Sequence, residues 1–157
     1  MKKINILFLF GLFSFGMVQA QVSGTIGGSI FWTFDEGVLS LDGSDEIPNN
    51  FFGMSNFVGI SKGDVREVVI NSGFTGIQGL AFYSTGINSI SIPPTVTKID
   101  TFAFILCDGL TSITVHEDNP VFYSDDGVLI NGSNKMLVAY PFGRSGSYTI
   151  CSRCCRA

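Results

Sequence analysis

The chain has 157 residues, and its 13 acidic residues outnumber its nine Lys and Arg, which gives a net charge of −4 at pH 7. An acidic chain with few, scattered cations lacks the basic stripe that contacts phosphates, so nucleic acid is excluded as an expected partner. Nineteen Gly and five Pro divide the chain into short pieces, and no window carries the sustained apolar period of a long helix, which excludes an all-α fold.

Residues 1–20 have the composition of a secretory signal peptide. Lys2 and Lys3 precede an apolar run over residues 4–18, and Ala20 stands at the cleavage position. The run is shorter than the roughly 18–20 residues that a spanning helix needs, so cleavage after Ala20 is favoured over a retained anchor. Removing 20 of the 157 residues leaves 137, the size of one domain, with a net charge of −6 because two lysines leave with the signal. We expect the mature chain to be secreted or held at a bacterial cell surface.

Residues 21–63 are predicted to form an N-terminal hairpin or cap module. The segments FWTF and VLSL alternate in polarity around Asp35-Glu36-Gly37, which predicts a β-hairpin over residues 30–42 with a tight turn. Residues 43–63 are loop-like. Three aromatic side chains in this loop are expected to cover the open end of the first repeat: Phe51, Phe52 and Phe57.

An internal repeat follows, with strand-like segments VREVVI, INSISI and LTSITV that begin at residues 65, 87 and 110. Each has apolar residues at its first, fourth and sixth positions, and a second block ends in step at Phe82 and Phe104. Recurrence at this period predicts a solenoid in which equivalent apolar positions stack on one another, with Phe82 and Phe104 in the core. The predicted inward positions are Val65, Val68, Ile70, Ile87, Ile90, Ile92, Leu110, Ile113 and Val115.

The pattern over residues 87–110, I-x-S-I-x-I-P-x-x-V-T-x-I-x-x-x-A-F-x-x-C-x-x-L, resembles the BspA-type leucine-rich repeat of bacterial surface proteins. Residues 119–150 resemble the insertion found between such repeats, and the start of the mature chain resembles the hairpin module before the first repeat. The resemblance implies a leucine-rich-repeat-like solenoid of the α/β horseshoe type, β-rich with short helical turns and an N-terminal β-hairpin cap. The solenoid is expected over residues 64–150, with an inserted hairpin at 119–141.

Two departures from the family pattern are visible. Where the general repeat carries Asn after its strand, this chain has Phe74 and Val96, so no Asn ladder is expected. Residues 151–157, CSRCCRA, replace the Pro and further repeat that the pattern calls for. We interpret this atypical tail as the product of a frameshift or truncation, and we expect the end of the repeat near residue 147 to fray.

Residues that could carry chemistry are few. His116 is the only His in the chain and follows a predicted strand in a polar loop, which disfavours a triad or a metal centre. The adjacent carboxylates Asp35-Glu36 and Asp125-Asp126 both precede Gly, as turn residues do, and neighbouring strand residues point in different directions. Neither pair therefore suits glycoside hydrolysis.

The four cysteines favour structural explanations. Cys107 is expected to be a packed thiol. Cys151, Cys154 and Cys155 form C-x-x-C-C, half a zinc site at best, with no scaffold for a disulfide. No catalytic residue, metal site or cofactor is predicted.

The predicted function therefore depends on a surface. Side chains between the inward positions should line one continuous, hydroxyl-rich face, and a protein or glycan ligand could hydrogen-bond to it. The chain is expected to be an exported, non-enzymatic interaction or adhesion module, with protein binding favoured by the resemblance. The alternatives are a truncated relic without activity and, less favoured, a hydrolase. The predicted partner-binding face consists of Arg66, Glu67, Val69, Asn88, Ser89, Ser91, Thr111, Ser112 and Thr114.

Overall fold

The structure is a computed structural model, and it describes residues 21–53, 57 and 59–148. The predicted signal peptide and the tail cysteines lie outside the described residues. No helix within the described ranges is long and apolar enough to cross a membrane. The strands are β1 Val22–Ile26, β2 Ile30–Asp35, β3 Val38–Asp42, β4 Asp45–Ile47, β5 Glu67–Ile70, β6 Phe74–Ile77, β7 Ser89–Ile92, β8 Lys98–Ile99, β9 Ser112–Val115, β10 Phe122–Asp125, β11 Val128–Asn131 and β12 Leu137–Ala139.

The main sheet has six strands in the order β1-β2-β3-β5-β7-β9. Strands β1 to β3 are antiparallel, and β3, β5, β7 and β9 run parallel. The predicted hairpin over residues 30–42 is confirmed as β2 and β3, with Asp35 opposite Val38. Glu36 and Gly37 between them have φ values of 46° and 89°, the left-handed pair of a type I′ turn, which matches the twist of the flanking strands.

The repeat strands, β5, β7 and β9, stack in the register that the 22- and 23-residue spacing predicts. Ile90 pairs with Val68 on one side and with Ile113 on the other, and all three side chains are buried. Ser91, one residue further on, is exposed. Apolar residues therefore stack upon apolar residues from one repeat to the next, and polar residues share the opposite side of the sheet.

The short helical turns predicted for the return segments are wrong. Among the described residues, the only helix is the three-residue 3₁₀ helix Phe51–Gly53. Leu80 and Leu106 have φ values of 59° and 57°, in the left-handed region that interrupts a right-handed helix. Amides of one turn donate instead to the next repeat, as from Leu80 N to the carbonyl of Phe102 at 3.2 Å. The amides of Leu80, Phe82 and Ser84 thus bond to the next repeat, while those of Ala81 and Tyr83 between them close tight turns within their own segment.

A single apolar core lies between the main sheet and a three-stranded sheet in the order β4-β6-β8. Phe82 and Phe104 are buried and stacked, with ring centroids 5.8 Å apart and planes 8° apart, which confirms that they are core residues. Phe51, Phe52 and Phe57 form the predicted aromatic cluster over the first repeat. The cluster reaches Phe82 and also Trp32 of the N-terminal hairpin.

The inserted sheet, β10-β11-β12, occupies the region predicted as an inserted hairpin, residues 119–141, and has three strands instead of two. Its turn covers the outer edge of β9: Ile113 N donates to the carbonyl of Gly127 at 2.9 Å, and Ser124 Oγ donates to the carbonyl of Ile113 at 2.5 Å. The inserted sheet therefore satisfies backbone groups that an edge strand would otherwise expose.

Candidate partner-binding face

The nine residues of the predicted face lie in the repeat strands or directly before them, and we call the surface that they are predicted to form the strand face. None of the nine is buried. Six of them belong to the repeat strands, and Arg66, Asn88 and Thr111 come directly before those strands. The alternation of a strand sends Ser89 and Ser91 away from the core because Ile90 between them points into it. Whether these residues bind a partner stays a prediction.

The parallel register arranges the strand-face residues in rows that cross the repeats. Glu67, Ser89 and Ser112 form one row. The neighbouring row contains Ser91, paired with Val69 on one side and Thr114 on the other. Such a face presents hydroxyl groups at the regular spacing of adjacent strands, about 4.8 Å.

The second row continues onto the N-terminal hairpin, which the sequence reasoning did not include. Ser40 pairs with Val69, Thr33 pairs with Ser40, and Ser23 pairs with Thr33. The Ser and Thr residues spaced through residues 22–40 were the sequence signal that could have indicated this extension. The 29-residue step from Ser40 to Val69 differs from the repeat period, so the register between them could not be deduced from the spacing.

Hydrogen bonding decides which hydroxyl groups remain available to a ligand. Thr111 Oγ1 donates to the carbonyl of Asn88 at 3.2 Å, and Thr114 Oγ1 donates to that of Ile90 at 3.3 Å. Those two hydroxyls keep only acceptor capacity. Ser89 and Ser91 make no side-chain hydrogen bond within the described ranges, so both can donate and accept.

The strand face carries charge at one end. Arg66 and Glu67 are both exposed, and within the described residues neither takes part in a salt bridge. Arg66 packs beside the hairpin turn, where a Cβ added to Gly37 would lie 3.1 Å from Arg66 Cγ. The side chain therefore borders the N-terminal module as well as the first repeat strand.

The other candidate residues serve the local structure. His116 is exposed, and its Nδ1 accepts a hydrogen bond from Asp118 N at 3.2 Å, within a surface turn. Asp126 and Gly127 have φ values of 50° and 78° and form a second type I′ turn, which confirms the turn interpretation of both carboxylate pairs. Asp126 also pairs with Arg144, and this contact raises the pKa of the guanidinium.

Cys107 is fully buried, which confirms the predicted packed thiol. Its Sγ donates to the carbonyl of Phe82 at 2.9 Å, and burial raises the pKa of the thiol. The group is therefore held in its neutral form, not as the thiolate that nucleophilic or metal-binding cysteines require. Within the described ranges, no three His, Cys, Asp or Glu residues converge as a metal site would need.

Asn119 is the residue whose importance the sequence reasoning missed. Phe74 and Val96 are buried at the position after the strand, but 23 residues beyond Val96 the same position is Asn119. Its Nδ2 donates to the carbonyls of Pro93 and Val96, and its Oδ1 accepts from the amides of Val121 and Phe122 at 2.9 and 2.8 Å. The repeat period itself points to this residue, and it joins the second repeat to the inserted sheet.

A family model for the BspA type leucine rich repeat region (6 copies) matches residues 44–128, more than half of the chain. A leucine-rich repeat protein of known structure from Eubacterium ventriosum is 18% identical, with a TM-score of 0.41, over 82% of this chain and 53% of that chain. The pneumococcal vaccine antigen PcpA is 14% identical, with a TM-score of 0.23, over 81% and 58%. This chain therefore spans little more than half of either structure, and no curated protein matches it.

Proposed function

This chain belongs to the BspA-type leucine-rich repeat family, and from that premise we propose that it is an exported, non-enzymatic interaction or adhesion module whose strand face binds a protein partner. The repeats form part of a solenoid of the horseshoe type, with residues 21–63 as its N-terminal cap. Residues 1–20 direct export and are removed. The mature chain acts outside the cell or at its surface.

The observation that carries this proposal is an open sheet face with regularly spaced hydroxyl groups. Ser89 and Ser91 lie in adjacent rows, and both have free hydrogen-bonding capacity among the described residues. An extended and mostly polar surface of this kind suits hydrogen bonding to the backbone and side chains of another protein. Arg66 and Glu67 add one charge of each sign at its border, which would orient a partner.

The test is binding of the mature chain to purified extracellular matrix proteins and, in parallel, to immobilised glycans. The variant Ser40→Ala/Ser89→Ala/Ser91→Ala removes three hydroxyls from the strand face. Because these side chains lie on the surface, we expect melting to change little, while affinity for the protein partner falls about tenfold or more.

A matched control keeps the number of changes the same. The variant Ser84→Ala/Ser133→Ala/Ser147→Ala replaces three exposed serines outside the strand face, and it should bind like the parent chain. Equal loss of binding in both variants would contradict a role for the strand face. Binding to glycans alone would identify a different class of partner, and failure to bind any probe would favour an inactive relic.

A further inference from the structure

Two unpaired strand edges border one groove on the side of the molecule opposite the strand face. Strand β8 is the outer strand of the β4-β6-β8 sheet, and β12 is the outer strand of the inserted sheet. Residues 97–101 and 136–138 line a common groove of about 630 Å³. Within the described ranges, no hydrogen bond joins these two segments.

The groove continues beyond the strands. A second part, of about 470 Å³, lies between residues 101–105 and 138–142 and shares Thr101 and Val138 with the first part. The chain therefore runs in the same direction along both sides of the groove, from the first part to the second. A single extended strand placed between them would be parallel to both or antiparallel to both.

The two parts of the groove differ in chemistry. The first part is mixed: it contains the carboxylates of Glu46 and Asp100 and one cation, Lys98, beside exposed apolar side chains of the inserted sheet. Lys98 Nζ lies 3.5 Å from Glu46 Oε1, while Asp100 has no salt-bridge partner among the described residues. The second part is aromatic, and its Phe102 and Phe142 are 58% and 57% exposed.

We propose that this groove binds an extended peptide segment of a partner protein by β-augmentation, with the peptide antiparallel to both bordering edges. Unpaired strand edges are templates for a further strand, and pockets beside them select alternate side chains. Antiparallel pairing is the more stable arrangement per residue. The peptide places apolar aromatic side chains, nearer its N-terminus, against Phe102 and Phe142, and a basic side chain, nearer its C-terminus, beside Asp100. This site is separate from the strand face and does not depend on the proposed function.

The probe is the peptide acetyl-Thr-Phe-Thr-Phe-Thr-Lys-Thr-amide carrying a fluorescein label, and binding to the mature chain is measured by fluorescence anisotropy. Its two Phe and its Lys lie on one side of an extended strand because side chains alternate. We expect saturable binding, and we expect the peptide of reversed sequence to bind at least about tenfold more weakly. Equal binding of the reversed peptide would overturn the antiparallel assignment.

Backbone pairing is tested by adding N-methyl groups to the two internal Thr residues next to Phe and Lys. These groups remove two N–H donors and leave every side chain in place, so binding should be lost. Unchanged affinity would overturn β-augmentation and leave only an apolar contact.

The location is tested by Phe102→Ser/Phe142→Ser, with Phe31→Ser as the matched control. Phe31 is 55% exposed, similar to the other two, but lies on the main sheet. The groove variant should bind the peptide at least about tenfold more weakly with little change in melting, and the control should bind normally. Asp100→Asn should weaken binding of the Lys-containing peptide. Binding of a peptide in which Gln replaces that Lys should not change. Loss of binding in Phe31→Ser, or none in the groove variant, would overturn the proposed site.

Discussion

The repeat strands and the inserted sheet are both built from strands of three or four residues, but they are paired in different ways. The central repeat strand, β7, pairs with residues 22 positions away on one side and 23 on the other, and its inward side chains are enclosed, as Ile90 is at 1% exposure. In the inserted sheet, β10 and β11 are joined by a two-residue turn, and Leu137 on the outer strand is 42% exposed. The stability of the repeat strands therefore depends on contacts between residues far apart in sequence. The stability of the inserted sheet depends on local turns and on its contact with β9.

The largest expected effect is a difference in stability loss between an apolar substitution in the repeat strands and one in the inserted sheet. Ile90→Ala removes a buried side chain between Val68 and Ile113 and leaves a cavity, so we expect the free energy of unfolding to fall by about 2–5 kcal/mol. Leu137→Ala changes a partly exposed side chain on an edge strand and should cost about 0.5 kcal/mol. Urea denaturation measures both, with Ser91→Ala as the surface control. Similar losses from the two apolar changes would show that the regions do not differ as described.

The second-largest expected effect is the loss of stability when Asn119, which joins the second repeat to the inserted sheet, is replaced. Asn119→Ala removes the amide group that donates to two carbonyls of the second repeat and the one oxygen that accepts from two amides leading into the inserted sheet. Leaving such groups without partners costs about 1–3 kcal/mol, so we expect a loss of about 2 kcal/mol in thermal or urea unfolding. Asn134→Ala is the control, since the Asn134 side chain is exposed and accepts only from Met136 N. A loss no larger than that of the control would mean that Asn119 does not join the regions.

A smaller effect tests the contact of the inserted turn with β9. Gly127 has a φ of 78°, and a Cβ there would lie 3.0 Å from Ser112 Oγ. Gly127→Ala should therefore cost about 1–2 kcal/mol, because an L-residue strains in this conformation. Gly63→Ala is the matched control, since nothing lies within 4 Å and its φ is not in the left-handed region. Calorimetry that showed no difference between the two variants would contradict the docking geometry.

The sequence predicted the repeat strands well because their apolar positions recur at a fixed spacing, and a fixed spacing also sets the register. The hairpin over residues 30–42 was predictable because Glu36-Gly37 is typical of a tight turn. In the inserted region Asp126-Gly127 was expected as a turn, but one hairpin was predicted where the structure has three strands. The return segments were not predictable, since the choice between a helical turn and hydrogen bonds to the next repeat depends on how closely neighbouring repeats approach. Leu80 and Leu106 give no sequence signal of their left-handed conformation.

The residues of the candidate site also include some that the sequence could predict and some that it could not. The six strand-face residues within the repeat strands could be predicted to point away from the core because each alternates with a buried position. The extension through Ser40 and Thr33 could not, because the offset between β3 and β5 follows from the loop over residues 43–63 and not from the repeat. The groove between β8 and β12 joins segments about 40 residues apart in sequence, and no periodic pattern connects them.

The central claim is that the repeat strands present one buried and one polar side in matched register. Alkylation of cysteines that are introduced one at a time tests this claim most directly. Cys151, Cys154 and Cys155 are replaced by Ser, and buried Cys107 serves as an internal reference. Cysteine is then introduced by Ile90→Cys, Ser91→Cys, Ile113→Cys or Thr114→Cys, one at a time, and reaction with iodoacetamide is followed by mass spectrometry. We predict rapid labelling at positions 91 and 114, and labelling at 90 and 113 only after denaturation. The opposite order would mean that the register is displaced by one residue, and that the residues assigned to the strand face are the core.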